Sequence, residues 1–293
     1  MDRFRGTGVA VVTPFLNNNI DYNALGLILN HCISGGIDYI VSLGTTGESP
    51  TLSNDEKRAV LDFTIEFANG RTPIVAGNFG GNNTQAVCND IDNFNFDGID
   101  AILSSSPAYN KPSQEGLYQH YSKIANHSPR PVIIYNVPGR TASNITAETT
   151  LRIAHGNSNI IGIKEASADL VQSSEIIKGK PENFLVLSGD DPTALKMMQG
   201  GGDGVISVIA NAYPKAFSDM ARFALNDESD RASKIHHALL DMHPLLYLEG
   251  NPSGIKGALH ILGLCSADVR LPLTSLTENT MTALKIVMAG IHL

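Results

Sequence analysis

The stretch Ile160-Ile161-Gly162-Ile163-Lys164-Glu165-Ala166-Ser167 reads as a short buried strand that closes on a lysine and runs into a polar loop. Amphipathic segments flank it, Ala147–His155 before and Leu170–Lys178 after, so it is the centre of a helix–strand–helix unit. Working outward, the same unit recurs. Apolar, β-rich runs lie at Gly8–Val12, Tyr39–Leu43, Pro73–Ala76, Ala101–Leu103, Val132–Tyr135, Leu185–Ser188 and Gly204–Ser207. Helical patterns fill the gaps at Tyr22–Ser34, Asp55–Ala68, Glu115–Asn126, Pro192–Gln199 and Pro214–Leu225. Ser53 with Glu56 three residues on is a capping-box signal for one of them. Eight such units predict a (β/α)8 TIM barrel over residues 1–227, a fold that uses about 250 residues as one unit. A doubly wound sheet is the rival, but no G-x-G-x-x-G follows the first strand. Beyond Asp227 the strand signals stop, and Asp230–His243, Gly254–Leu262 and Thr277–Ala289 read as helices. Residues 228–293 are therefore expected as a C-terminal helical extension packed on the barrel.

Composition excludes several function classes. The 293-residue chain carries a net charge of −8 with its cations scattered, so it lacks the basic footprint of a nucleic-acid binder. Its three cysteines, Cys32, Cys88 and Cys265, are far apart and have no metal spacing, which fits reduced thiols in a cytoplasmic protein. The apolar stretch Val9–Val12 ends at Thr13-Pro14, too short for a signal peptide, and no run is long enough to span a membrane. Gly200–Gly204 precedes a strand and lacks the Lys-Ser/Thr of a phosphate loop, so it reads as a helix-to-strand turn. His236, His237, Asp241 and His243 lie without H-E-x-x-H in an expected helix away from the barrel mouth, and no metal is expected there.

In such barrels the chemistry sits where the strands end. Lys164 closes its strand at the rim of a hydrophobic layer, where the charged amine is poorly solvated and the neutral form gains. Neutral amine is what attacks a ketone to form a Schiff base. A lone strand-end lysine can equally send its head into water while its stem packs. Neighbouring rims supply partners. Thr45 and Thr46, set between Gly44 and Gly47, offer hydroxyls and exposed amides suited to a small carboxylate, or else a helix cap. Tyr135 ends its strand with a phenol able to move protons, or merely packed with a wet hydroxyl. Arg140, past the Pro138-Gly139 turn, can grip a carboxylate or sit at the surface. Tyr109, in a loop stiffened by Pro107 and Pro112, can place its hydroxyl at a neighbouring subunit's mouth, or simply pack.

In chain order the motifs Gly44–Ser49 (G-T-T-G-E-S), Tyr135–Thr141 (Y-N-V-P-G-R-T), Gly162–Ser167 (G-I-K-E-A-S) and Ser188–Asp191 (S-G-D-D), then Asn251-Pro252 with Lys256, cover nearly the whole chain. Together they resemble the 4-hydroxy-tetrahydrodipicolinate synthase (dihydrodipicolinate synthase) family, among the pyruvate-dependent class I aldolases that include N-acetylneuraminate lyase. The resemblance implies a pyruvate Schiff base on Lys164. It implies a proton relay of Thr45, Tyr135 and a Tyr109 given by the neighbouring subunit. Thr46 would hold the pyruvate carboxylate, the backbone at Gly189 and Ile206 would line the pocket, and Arg140 would meet the carboxylate of L-aspartate 4-semialdehyde. No metal or organic cofactor is implied, and the family suggests a homotetramer built from dimers. Pro50, Asn54, Lys57, Ala86 and Ala108 stand where lysine-regulated members carry their effector-binding side chains, which implies weak or absent lysine feedback. Two other readings stay open: a pyruvate-dependent aldolase acting on a sugar acid, and a barrel kept for binding with catalysis lost.

Overall fold

A computed structural model describes all residues from Met1 to Leu293. Eight parallel strands close into a barrel: β1 (Gly6–Ala10), β2 (Tyr39–Ser42), β3 (Ile74–Ala76), β4 (Ala101–Ser105), β5 (Val132–Asn136), β6 (Ile160–Glu165), β7 (Leu185–Ser188) and β8 (Gly204–Ser207). They follow one another around the barrel in chain order, with β8 hydrogen-bonded back to β1. Helices α1 (Tyr22–Ser34), α2 (Asn54–Ala68), α3 (Thr84–Asp92), α4 (Gln114–His127), α5 (Ala147–Gly156), α6 (Leu170–Gly179), α7 (Asp191–Gln199) and α8 (Pro214–Leu225) alternate with the strands. The expected barrel is the fold observed.

The elements begin where the side chains satisfy the free amides of a helix start. Ser53 accepts from Glu56 N while the Glu56 side chain takes Ser53 N, the capping box read from the sequence. Asp21, Asn83, Ser113, Thr146, Asp169 and Asp190 cap their helices with a side-chain oxygen that accepts from a first-turn N–H. Helix α3 and a small hairpin, Phe15–Leu16 with Asn19–Ile20, were not expected. Helix α3 is short and half polar, so its apolar residues Val87, Cys88 and Ile91 give only a weak periodic signal. Strand β1 also sits two residues earlier than expected. Its ladder stops because Val12 N donates to the Asn211 side chain rather than to a neighbouring strand.

Alternation along the strands builds two cores. The barrel interior holds Tyr39, Val41, Leu103, Ile133, Tyr135, Ile161, Leu187 and Ile206, closed at the N-terminal end by Phe4, whose ring meets Tyr39 edge-on at 5.6 Å. Gly8 leaves room for that tyrosine, since a Cβ there would stand 2.2 Å from its ring. The larger core lies between strands and helices and continues into the C-terminal helices α9 (Ser229–Leu240), α10 (Met242–Tyr247), α11 (Ser253–Ile261) and α12 (Glu278–Ala289) through Leu239, Met242, Leu246, Ile255, Leu259 and Leu284. The expected single helix Asp230–His243 is two, broken at Asp241. No helix is long and apolar enough to cross a membrane.

Candidate active site

A bulge decides where Lys164 points. Val132 of β5 pairs with Ile160, yet Ile133 pairs with Gly162, so Ile161 is an extra residue in β6. From there Tyr135 stands opposite Lys164 and Asn136 opposite Glu165. If the same residues paired on from Ile160 without the bulge, Tyr135 would face Ile163, and every later side chain of β6 would change sides. With it, Lys164 joins Tyr135 inside the barrel. Lys164 is 5 % exposed, and its amine lies 4.5 Å from the centre of the tyrosine ring, a cation–π distance. Gly189, just past β7, lies against the lysine stem. A Cβ at Gly189 would fall 2.9 Å from Lys164 Cε, so only glycine leaves that stem its place.

The residues one step outward hold the two strand ends together. Glu165 is buried and accepts from the amides of Asn136 and Gln172, both at 2.9 Å, and from Ser167 N at 2.8 Å. Asn136 also donates to Asn144 at 2.8 Å and accepts from Ile145 N. These bonds fix the residues that follow Tyr135 and Lys164 in the chain. None was singled out from the sequence, although two polar residues directly after two strand-end site residues were the available signal.

The Thr45–Gly47 turn after β2 is a single 3₁₀ turn bracketed by left-handed residues, Leu43 (φ 60°) and Glu48 (φ 52°). Both are non-glycine, a conformation the surroundings must enforce. The enforcement comes from the C-terminal extension. Lys256, wholly buried, places its amine 2.5 Å from Glu48 Oε1 and 2.9 Å from the Asp268 carbonyl. Burial pulls the Lys256 pKa down from its ordinary value, while Glu48 opposes that shift. Arg270 donates its backbone N–H to Glu48 Oε2 and grips Glu56 with two guanidinium bonds, which lower the Glu56 pKa to about 2. Asn251 Nδ2 donates to Thr46 Oγ1 at 3.0 Å.

A cavity of about 440 Å³ opens at this rim, lined by Thr45, Glu48, Asn78, Tyr135, Arg140 and Asn251 among others. Lys164 reaches it through Tyr135, and Thr46 through Asn251. Ile206 sits below in the interior cluster with Tyr135 and Leu187. Arg140 is exposed, on the short helical turn Pro138–Thr141, and engages no protein carboxylate. Tyr109 alone stays out. It is 90 % exposed in a left-handed conformation (φ 72°), held by its backbone N–H to the Thr141 carbonyl. A larger cavity of about 730 Å³ lies on the barrel flank between α1 and α8 and touches no strand-end site residue. His243 lies nearer the rim than expected, buried within electrostatic reach of Asp191 and Asp190 at the start of α7.

A parallel eight-stranded barrel with a buried strand-end lysine beneath a tyrosine, and that tyrosine sharing a cavity with a threonine-bearing turn, has the makings of a Schiff-base enzyme. The chain belongs to the dihydrodipicolinate synthetase family, whose model matches residues 3–289. It is 50 % identical over 287 residues to 4-hydroxy-tetrahydrodipicolinate synthase of Flavobacterium psychrophilum, covering 98 % of each chain. The crystal structure of dihydrodipicolinate synthase from Aquifex aeolicus superposes with a TM-score of 0.93 at 40 % identity, over 98 % of this chain and 97 % of that one. A dihydrodipicolinate synthase described as a monomeric variant gives a TM-score of 0.95 at 35 % identity, over 98 % of this chain and 97 % of that one.

Proposed function

We propose that the chain condenses pyruvate with L-aspartate 4-semialdehyde to give 4-hydroxy-tetrahydrodipicolinate, the activity its relatives are named for. The observation that carries this reading is Lys164, buried and paired across the sheet with Tyr135. Its amine adds to the pyruvate ketone, and loss of water leaves an imine. Loss of a C3 proton gives the enamine, whose carbon attacks the aldehyde of the second substrate. That substrate's own amine then displaces Lys164 from the imine and closes the ring. Thr45 and Tyr135, with Tyr109 from a neighbouring subunit, carry the protons in this reading. Thr46 holds the pyruvate carboxylate, and Gly189 and Ile206 shape the pocket floor. Arg140, on the cavity wall without a protein partner, receives the semialdehyde carboxylate.

The lysine supplies the electrophile activation, so no resident metal or organic cofactor is called for. Residues 1–227 and 228–293 work as one catalytic unit, assembled as a homotetramer, in the cytoplasm, where the three free cysteines stay reduced. Lysine is a weak effector or none. Borohydride added with pyruvate is expected to fix a covalent adduct on Lys164, and its absence from the wild-type chain would remove the Schiff-base reading. Arg140→Ala is expected to raise KM for the semialdehyde by about tenfold or more, the worth of a charge-assisted hydrogen bond, and to leave KM for pyruvate near native. Turnover of a sugar acid with Arg140 dispensable would favour the other aldolase reading.

A further inference from the structure

We propose that Asn251 and Lys256 of the C-terminal extension are positioning residues for the pyruvate subsite. Asn251 turns the Thr46 hydroxyl towards the substrate, and Lys256 fixes the Thr45–Gly47 turn through Glu48. The inference rests on the reading of Thr46 as a carboxylate-binding residue.

A threonine hydroxyl has one hydrogen to give and lone pairs to receive with. At Thr46 the oxygen already accepts from Asn251 Nδ2, at 3.0 Å in a buried setting, and no protein acceptor takes its hydrogen. That hydrogen is left for an incoming anion. Asn251 also lines the cavity that Thr45 and Tyr135 line, so the donor stands at the subsite it prepares.

Glu48 ends the turn. One of its oxygens meets the Lys256 amine at 2.5 Å and the other the Arg270 backbone N–H at 3.1 Å. Both anchors are more than 200 residues away in sequence. The Lys256 and Arg270 cations also lie over the Phe15 ring, at 4.0 and 4.5 Å from its centre. A buried ion pair contributes little net stability against apolar replacements of the same volume. What this pair does is lock the residue that ends the turn, in a backbone conformation that residue would otherwise rarely adopt.

The test is a double-mutant cycle read in KM for pyruvate. Thr46→Val and Asn251→Ala are each expected to raise it about tenfold, the scale of one hydrogen bond to a charged group, with kcat changed less. Adding Asn251→Ala to Thr46→Val is expected to cost nothing further, because the hydroxyl it orients is gone. An unchanged KM in Thr46→Val overturns the reading of Thr46. A raised KM in Thr46→Val with a native KM in Asn251→Ala, or fully additive effects, overturns the inference while leaving that reading intact. For the second residue, Glu48→Gln combined with Lys256→Met removes both charges together and avoids an unpaired buried one. The expected outcome is a folded protein whose KM for pyruvate stays raised; a native KM shows the pair to be structural only and sinks its positioning role.

Discussion

The Tyr135 ring lies over the Lys164 amine at a distance where the π-face stabilises a cation, and both residues are buried. In the proposed mechanism the two residues divide the work: the lysine forms the bond, and the tyrosine serves the protons that each stage releases or needs. Lys164→Ala should lose turnover and the borohydride-fixed pyruvate adduct together. Tyr135→Phe keeps the ring over the amine and removes only the hydroxyl. Its kcat should fall about 10²- to 10⁴-fold, the scale of a positioned acid–base group, while the adduct still forms, more slowly. A Tyr135→Phe enzyme with native kcat would leave the phenol without a role. At the same scale Gly189 is constrained by the stem it touches, since any Cβ would push Lys164 aside.

At the scale of elements, the chemistry of β6 depends on the register it takes after the bulge at Ile161. Deleting Ile161 would give an unbroken ladder in which Lys164 still stands opposite Tyr135, whereas adding one residue between Ile163 and Lys164 would turn the lysine away from Tyr135. The expected result of that insertion is a chain with no pyruvate adduct; an insertion variant that still traps pyruvate on Lys164 would refute the role given to the register. Helices α3 and α4 are joined by a bond between Thr84 Oγ1 and His120 Nδ1, 2.8 Å long. Burial lowers the His120 pKa from 6.5 to about 4, so the folded protein holds this ring neutral where the unfolded chain would protonate it. Its contribution is then fully present above pH 6.5 and is lost as pH falls towards 4. Urea unfolding at several pH values should show stability declining through that window, and His120→Gln should flatten the decline. An identical slope in the variant would assign the loss to other groups.

Seen as a whole molecule, the barrel mouth is built partly from the last quarter of the chain. Asn251, Lys256 and Arg270 tie the β2 turn to the C-terminal helices, and the apolar core runs without a break into them. One predicted participant still stands outside: Tyr109 is displayed on the surface with its backbone pinned, the posture of a residue offered to another copy. If Tyr109 acts in a partner's site, mixing inactive Lys164→Ala with impaired Tyr109→Phe subunits should recover activity. Some mixed sites then combine a native lysine with a native tyrosine. Activity no greater than the Tyr109→Phe share alone would count against donation across subunits.

The sequence by itself determined the barrel and most of its catalytic candidates, because each strand is a short buried apolar run and most candidates lie at or just past the end of one. Helix α3 escaped because nine half-polar residues carry too little periodicity, whereas Ser53 with Glu56 announced α2 in advance. Only the tertiary structure decided that Lys164 faces Tyr135, since a bulge is a property of two paired strands and leaves no mark in one. It alone joined Asn251 to Thr46 and Lys256 to Glu48, residues separated by 205 and 208 positions. Local pattern reports how a segment meets the core; which distant polar groups come to rest against each other is set by how the segments pack.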